Sequence, residues 1–213
     1  TRYPGIFWTH NDSGGAPYLY AFDRKGRSVA RLLVSGRSNI DWEDMAEGPS
    51  NTLWIGDFGN NSLNRLNLAV YRLTEPTYDP EASSQNLSAS AQRFPFSYPD
   101  GAHDAETLLV HPTTGEVFVV SKVNSGTTGV YRFPMPMVND VSVVLQHVAT
   151  VTFSSPLSAG RQASGGDTSL DGSRLVIRTY LQAYEWRILP GQTVANALSG
   201  TPQSYTLLFS QGE

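Results

Sequence analysis

The sequence predicts an all-β protein, a β-propeller of about four four-stranded antiparallel blades, on three observations. First, an apolar-Tyr-x-apolar strand recurs at 19–22, 70–73, 130–133 and 183–186, and Tyr20, Tyr71, Tyr131 and Tyr184 fall 51, 60 and 53 residues apart. Repeats of that length in a chain of short strands are blade-sized. Second, an apolar strand precedes each tyrosine strand: Ile6-Phe7-Trp8, Leu53-Trp54-Ile55, Val117-Phe118-Val119-Val120 and Leu175-Val176-Ile177. Third, the last three of these follow the turns Gly48-Pro49-Ser50-Asn51, His111-Pro112-Thr113-Thr114-Gly115 and Asp171-Gly172-Ser173, whose residue types close hairpins. Each unit therefore reads as strand a, turn, strand b, loop, strand c, turn, strand d.

Taken in order, the first blade (1–38) opens at strand b, continues through the tyrosine strand and ends on 29–34 as strand d, with strand a absent. The second (39–98) starts strand a among Asn39, Asp41, Glu43 and Asp44 and closes on 92–96, where Pro95 suits an outer edge strand because its missing N–H does least harm there. The third (99–156) starts among Asp100, His103, Asp104 and Glu106 and ends on 147–151. In the fourth (157–210), Asp167 marks strand a and 204–208 strand d; 211–213 then reads as the opening of a further strand a. No amphipathic helix of ordinary length is expected. One propeller domain covers 1–213, read either as part of a larger propeller or as a ring completed by another chain, including a second copy in a homo-oligomer.

Composition fits this class. The chain is 39% hydrophobic and 11% aromatic, enough for a sizeable core, and only 16% charged, which argues against a disordered chain. A net charge of −4 gives no basic footprint for nucleic acid. The apolar runs are strand length, so no membrane span is expected. With no cysteine, thiolate metal sites and Cys nucleophiles are excluded.

Propeller topology concentrates the candidate chemistry. Starts of strand a and ends of strand b converge on one face of the central channel, and those positions are polar. Two blades share Asp-x-Glu-x5-Pro, with Asp41 and Glu43 before Pro49 and Asp104 and Glu106 before Pro112. Alternate strand residues share a side, so these carboxylates would repel one another around a narrow channel unless a cation or basic side chain sits among them. Hard oxygen ligands suit Ca²⁺ better than Zn²⁺. Glu43 and Glu106 are the leading expected ligands, with Asp41 and Asp104 beside them and Asp57, Asn60 and Asn61 as contributors from strand-b ends. Lys122 and Arg178 end b strands on the same face and would compensate carboxylates or hold an anion. Asn11, Asp12, Asp167 and Glu213 complete the expected channel face. His103 is a candidate general base. Solvated acidic loops, a hydrogen-bonding loop histidine and tryptophans packed between blades are the plain alternatives.

The segments 8–15 (WTHNDSGG), 39–46 (NIDWEDMA), 55–61 (IGDFGNN), 98–122 and 169–180 resemble uncharacterised extracytoplasmic bacterial β-propellers, loosely related to phytase-esterase-like and NHL-type propellers. The resemblance implies a propeller, export to a secreted or periplasmic location and a Ca²⁺ site, without an established reaction. Two function classes follow: a noncatalytic binding or assembly module whose ion holds blades together, and a Ca²⁺-dependent hydrolase of an ester, lactone or phosphoester. Neither names the small-molecule or glycan ligand.

Overall fold

The structure, a computed structural model, describes residues 2–207. In the first blade, β1 (Ile6–His10), β2 (Tyr18–Asp23) and β3 (Ser28–Ser35) form an antiparallel run. The second carries β4 (Trp42–Gly48), β5 (Thr52–Asp57) and β6 (Ala69–Thr74); after β7 (Gln85–Ser90) it closes on β8 (Gln92–Ser97). The third has β9 (Ala105–Val110), β10 (Val117–Ser121) and β11 (Thr127–Arg132), then the two-residue β12 (Val143–Val144) and β13 (Gln146–Thr152). The fourth has β14 (Ala163–Thr168), β15 (Arg174–Thr179) and β16 (Gln182–Arg187), then the short helix α1 (Val194–Leu198) and β17 (Gln203–Thr206). Four blades of a β-propeller result.

The tyrosine register is as expected. Tyr71, Tyr131 and Tyr184, on the third strands, pair with Ile55, Val119 and Ile177 of the second strands, and Tyr20 occupies the same place opposite Thr9.

The outer edges depart from simple four-stranded blades. Between strands c and d, the chain of each later blade reaches back to its predecessor. From the second blade, β7 adds in parallel to β3 of the first, and from the third, β12 adds in parallel to β8 of the second. In the fourth blade α1 occupies that stretch and packs on β13 of the third; the Thr193 hydroxyl caps it by accepting from the Asn196 N–H at 3.1 Å. An outer strand presents a row of unpaired backbone groups, so these additions cover edges that would otherwise invite foreign strands. On β8, β12 attaches from Phe96 onward, just past Pro95.

The core lies between blade faces. Trp54, Phe94 and Phe96 of the second blade pack on Leu108, Val119 and Phe133 of the third. Leu109, Val120 and Phe118 of the third pack on Leu175, Ile177 and Trp186 of the fourth. Leu19 and Leu32 of the first meet Ile55 and Leu73 of the second. Trp42 and Trp54 are buried, the packing expected of tryptophans between blades. The 75–84 connection folds over the first blade, where buried Glu75 accepts from Trp8 Nε1 at 2.9 Å and Tyr78 Oη at 3.0 Å. Among the described residues, no helix is long and apolar enough to cross a membrane.

Candidate functional site

The inner strands β4, β9 and β14 each begin with a one-residue bulge against their b strands. Trp42, Ala105 and Ala163 pair at the start, and pairing resumes fully by Met45, Leu108 and Gly166. This register makes Glu43, Glu106 and Ser164 equivalent, and then Asp44, Thr107 and Gly165. A bulge frees a side chain from strand alternation and re-aims it, and here it places two glutamates at matched positions on the channel face.

The next position stitches the inner strands together. Their channel-side amides have no ladder partner, and buried N–H groups need acceptors. Asp44 Oδ2 accepts from Leu108 N (2.9 Å) and Gly166 N (3.2 Å), thereby touching two neighbouring blades. Thr107 Oγ1 does the same for Gly165 N at 3.0 Å. Burial pushes the Asp44 carboxyl up to about 7 against the pull of its N–H donors.

Buried Asn39 brings the first blade to the site. Its Nδ2 donates to the carbonyls of Asn11 (2.9 Å) and Asp12 (2.7 Å), while its Oδ1 accepts from Trp42 N. The 10–15 loop is thus clamped against the start of β4, and carboxylate oxygens of Asp12, Asp41 and Glu43 lie within 4.8 Å of one another. Gly59 passes beneath them. A Cβ at position 59 would overlap the carboxylates of both Glu43 and Asp41, so the close approach requires glycine.

The three equivalent bulge residues differ in compensation. Glu106 pairs with Lys122 Nζ and accepts from Tyr180 Oη at 3.2 Å, while Lys122 also reaches Tyr180 Oη at 3.0 Å. Ser164 Oγ accepts from Arg178 at 3.2 Å. Glu43, half-buried, has no hydrogen-bond or ion-pair partner among the described residues. Burial, reinforced by Glu106, Asp41, Asp12 and Asp104, pushes its carboxyl up to about 9. Burial also raises Asp41, outweighing Arg65, whose Nη1 stands 3.9 Å away.

The other expected residues divide. Asp57 is fully buried and engaged: Oδ1 accepts from Asp41 N (3.1 Å) and Arg65 (2.8 Å), and Oδ2 from Tyr71 Oη (3.0 Å). Asn60 Oδ1 accepts from the N–H groups of Asn64 and Arg65, and its own N–H donates to Asp104 Oδ1 at 2.8 Å. Both hold the loop after β5 in place. Asn61 is exposed and lines a cavity of about 410 Å³ with His103, Asp104 and Lys122. Asn11 is exposed beside Asp12. Asp167 is the fifth residue of β14, level with Ala46 and Leu109, and lines a separate groove with Trp8, Met45 and Glu47. The structure therefore does not bring it to the cluster. Glu213 lies outside the described residues.

His103 Nε2 is 2.9 Å from Asp100 Oδ1 and 3.0 Å from Tyr131 Oη, and Tyr131 donates to Asp100 Oδ2 at 2.9 Å. Sequence reasoning had no route to this trio, because Tyr131 was legible only as a strand residue. The roles of Asn39, Asp44 and Gly59 were equally hidden; the one signal was the density of polar residues at strand starts.

No family model matches the chain, and no curated protein does. Among solved structures it is similar to a gluconolactonase from Xanthomonas campestris (14% identity, TM-score 0.45, covering 92% of this chain and 57% of that one). It is also similar to an auxiliary nutrient binding protein from Bacteroides thetaiotaomicron (15%, TM-score 0.46, 98% and 43%) and to a functionally unknown protein from Desulfotomaculum acetoxidans (13%, TM-score 0.46, 95% and 53%). The chain spans about half the length of these proteins.

Proposed function

We propose that the channel face binds Ca²⁺ through Asp12, Asp41 and Glu43, with Asp104 beside them, and that the protein is an extracytoplasmic binding or assembly module held in shape by that ion. The observation that carries this reading is Glu43: a half-buried carboxyl with no partner among the described residues, facing two further carboxylates within 4.8 Å. Three hard oxygen donors at such spacing suit Ca²⁺, which takes six to eight oxygens and accepts carbonyls and waters for the remainder. Glu106, already paired with Lys122, contributes field more than ligation. A shallow, partly protein-supplied shell favours weak affinity, in the range of extracellular calcium modules, which accords with export.

The experiment is calcium titration by calorimetry with thermal unfolding in parallel. Ca²⁺ should bind, chelator should lower the melting temperature and added Ca²⁺ should restore it, because an ion that binds only the folded state stabilises by mass action. Glu43→Gln should weaken binding about tenfold or more, since it removes a charged ligand, whereas Glu106→Gln should weaken it less. Absence of binding, or equal effects of the two variants, sinks the assignment.

A second reading, a hydrolase of an ester, lactone or phosphoester, is favoured by the cavity of about 410 Å³ that His103 lines near this face. Asp100 accepting from Nε2–H would leave Nδ1 as the proton acceptor, and a bound ion would polarise a substrate oxygen. Turnover of an ester and lactone panel, lost in His103→Ala and reduced with a changed pH profile in Asp100→Asn, is the outcome expected of the enzyme; no turnover of any panel member leaves the module.

A further inference from the structure

We infer that a second site, lined by none of the acidic cluster's carboxylates, binds the phosphate of a small phosphomonoester. Where the β3–β4 connection meets β6 and β8, a cavity of about 330 Å³ is lined by Arg37, Ser38, Asn67, Tyr71 and Arg93, and no carboxylate lines it. Arg37 is fixed: its Nε and Nη2 both donate to the Ala91 carbonyl, at 3.0 and 2.6 Å, and its guanidinium lies 5.7 Å from the Tyr71 ring centroid. That leaves Nη1 for a ligand. Arg93 sits directly across the β6–β8 ladder from Tyr71. Its guanidinium has no hydrogen-bond or ion-pair partner among the described residues, although the side chain is half-buried.

Tyr71 supplies a wall rather than a donor, because its hydroxyl is committed to Asp57. Asp57 in turn is held by Arg65 and does not reach the two arginines as an ion-pair partner. Neutral donors remain: the Ser38 hydroxyl, and the amide NH₂ of Asn67, whose Oδ1 already accepts from Arg65 at 3.3 Å. The Arg93 fork and Arg37 Nη1, with the neutral donors, leave two positive charges for the ligand. A phosphomonoester dianion neutralises both and offers three acceptor oxygens, where a carboxylate satisfies one fork. The cavity is larger than phosphate alone, so an organic group fits beside it.

The test is calorimetry in EDTA at low ionic strength, with inorganic phosphate, glycerol phosphate and acetate as probes. Both phosphate probes should bind and acetate should bind at least tenfold more weakly; a glycerol phosphate affinity above that of inorganic phosphate identifies the ester as the preferred source, and the reverse identifies the free ion. Arg93→Gln should weaken phosphate binding about tenfold or more, and Arg93→Lys, which keeps charge but loses the fork, by several-fold. Arg178→Gln, on the acidic face, should leave it unchanged. Absence of phosphate binding, acetate binding as tightly as phosphate, or equal affinity in both Arg93 variants and the parent protein overturns the proposal.

Discussion

At the scale of single residues, the site is defined by differences in compensation among matched positions. Glu106 and Glu43 occupy the same bulge, yet Lys122 serves the first and nothing described serves the second. The consequence is a pH dependence with a definite sign. Burial raises Glu43 from 4.5 to about 9 and Asp44 from 3.8 to about 7, so between those values the folded chain holds more protons than the unfolded one. Stability then falls as pH rises. The metal-free protein should be most stable near pH 4 in these two contributions and lose stability up to pH 9, with Glu43 worth about 1–2 kcal/mol after discounting its partial exposure. Glu43→Gln should flatten the part of the curve between pH 7 and 9 and leave the Asp44 part below it. Urea unfolding across this range checks the point; a stability that climbs with pH in the metal-free protein would refute it.

At the scale of elements, backward-reaching connections decide how the blades hold. Along β7, Gln85, Leu87 and Ala89 are half-buried while Asn86, Ser88 and Ser90 are exposed, the period-two pattern of a strand with one covered face. Leu87 pairs with Leu32 of β3 and packs against the cores on both sides of the first blade. Leu87→Asp should cost about 1–3 kcal/mol, since it removes apolar contact and places a charge against the core. It should also promote association, because β3 would become an open edge. Ser88→Asp, one residue along on the exposed face, should be nearly neutral. Urea midpoints and light scattering separate the two variants; equal behaviour would show that β7 is dispensable.

At the scale of the whole molecule, blades are joined by three kinds of contact, each with its own physics. Apolar faces stack between neighbouring sheets. Outer edges are shared through β7, β12 and α1. Inner edges are tied by side chains, with Asp44 joining three inner strands and Thr107 two. The acidic cluster sits above that inner seam and draws on two blades, Asp12 from the first and Asp41 and Glu43 from the second. An ion there would therefore act on blade packing and on ligand chemistry at once. The arginine-lined cavity lies where the β3–β4 connection meets β6 and β8, and Tyr71 in its wall donates to the Asp57 that also accepts from Asp41 N.

Four blades, the a-to-d succession within each and the tyrosine register were legible in the sequence, because alternating apolar strands and hairpin turns are local signals that a period of 51 to 60 residues makes visible. The sequence also marked Asp41, Glu43, Asp104 and Glu106 as one family of positions. Only the tertiary structure decided which of them share an oxygen cluster. Lys122 pairs with Glu106 within its own blade, 16 residues on, whereas Tyr180 comes 74 residues after Glu106 from the next blade, and no local pattern encodes that contact. Asp57 and Asn60 read as ligands from their position, but folding gave their oxygens to Arg65, Tyr71 and backbone amides. Asp167 matched by composition and missed by register: all three inner strands carry the same bulge, which makes Ser164 the equivalent of Glu43 and Glu106 and leaves Asp167 three positions further along β14. Edge sharing through β7 and β12 was hidden for the same reason: which edge a short strand covers depends on where neighbouring blades lie, and that is fixed only when the apolar faces have packed.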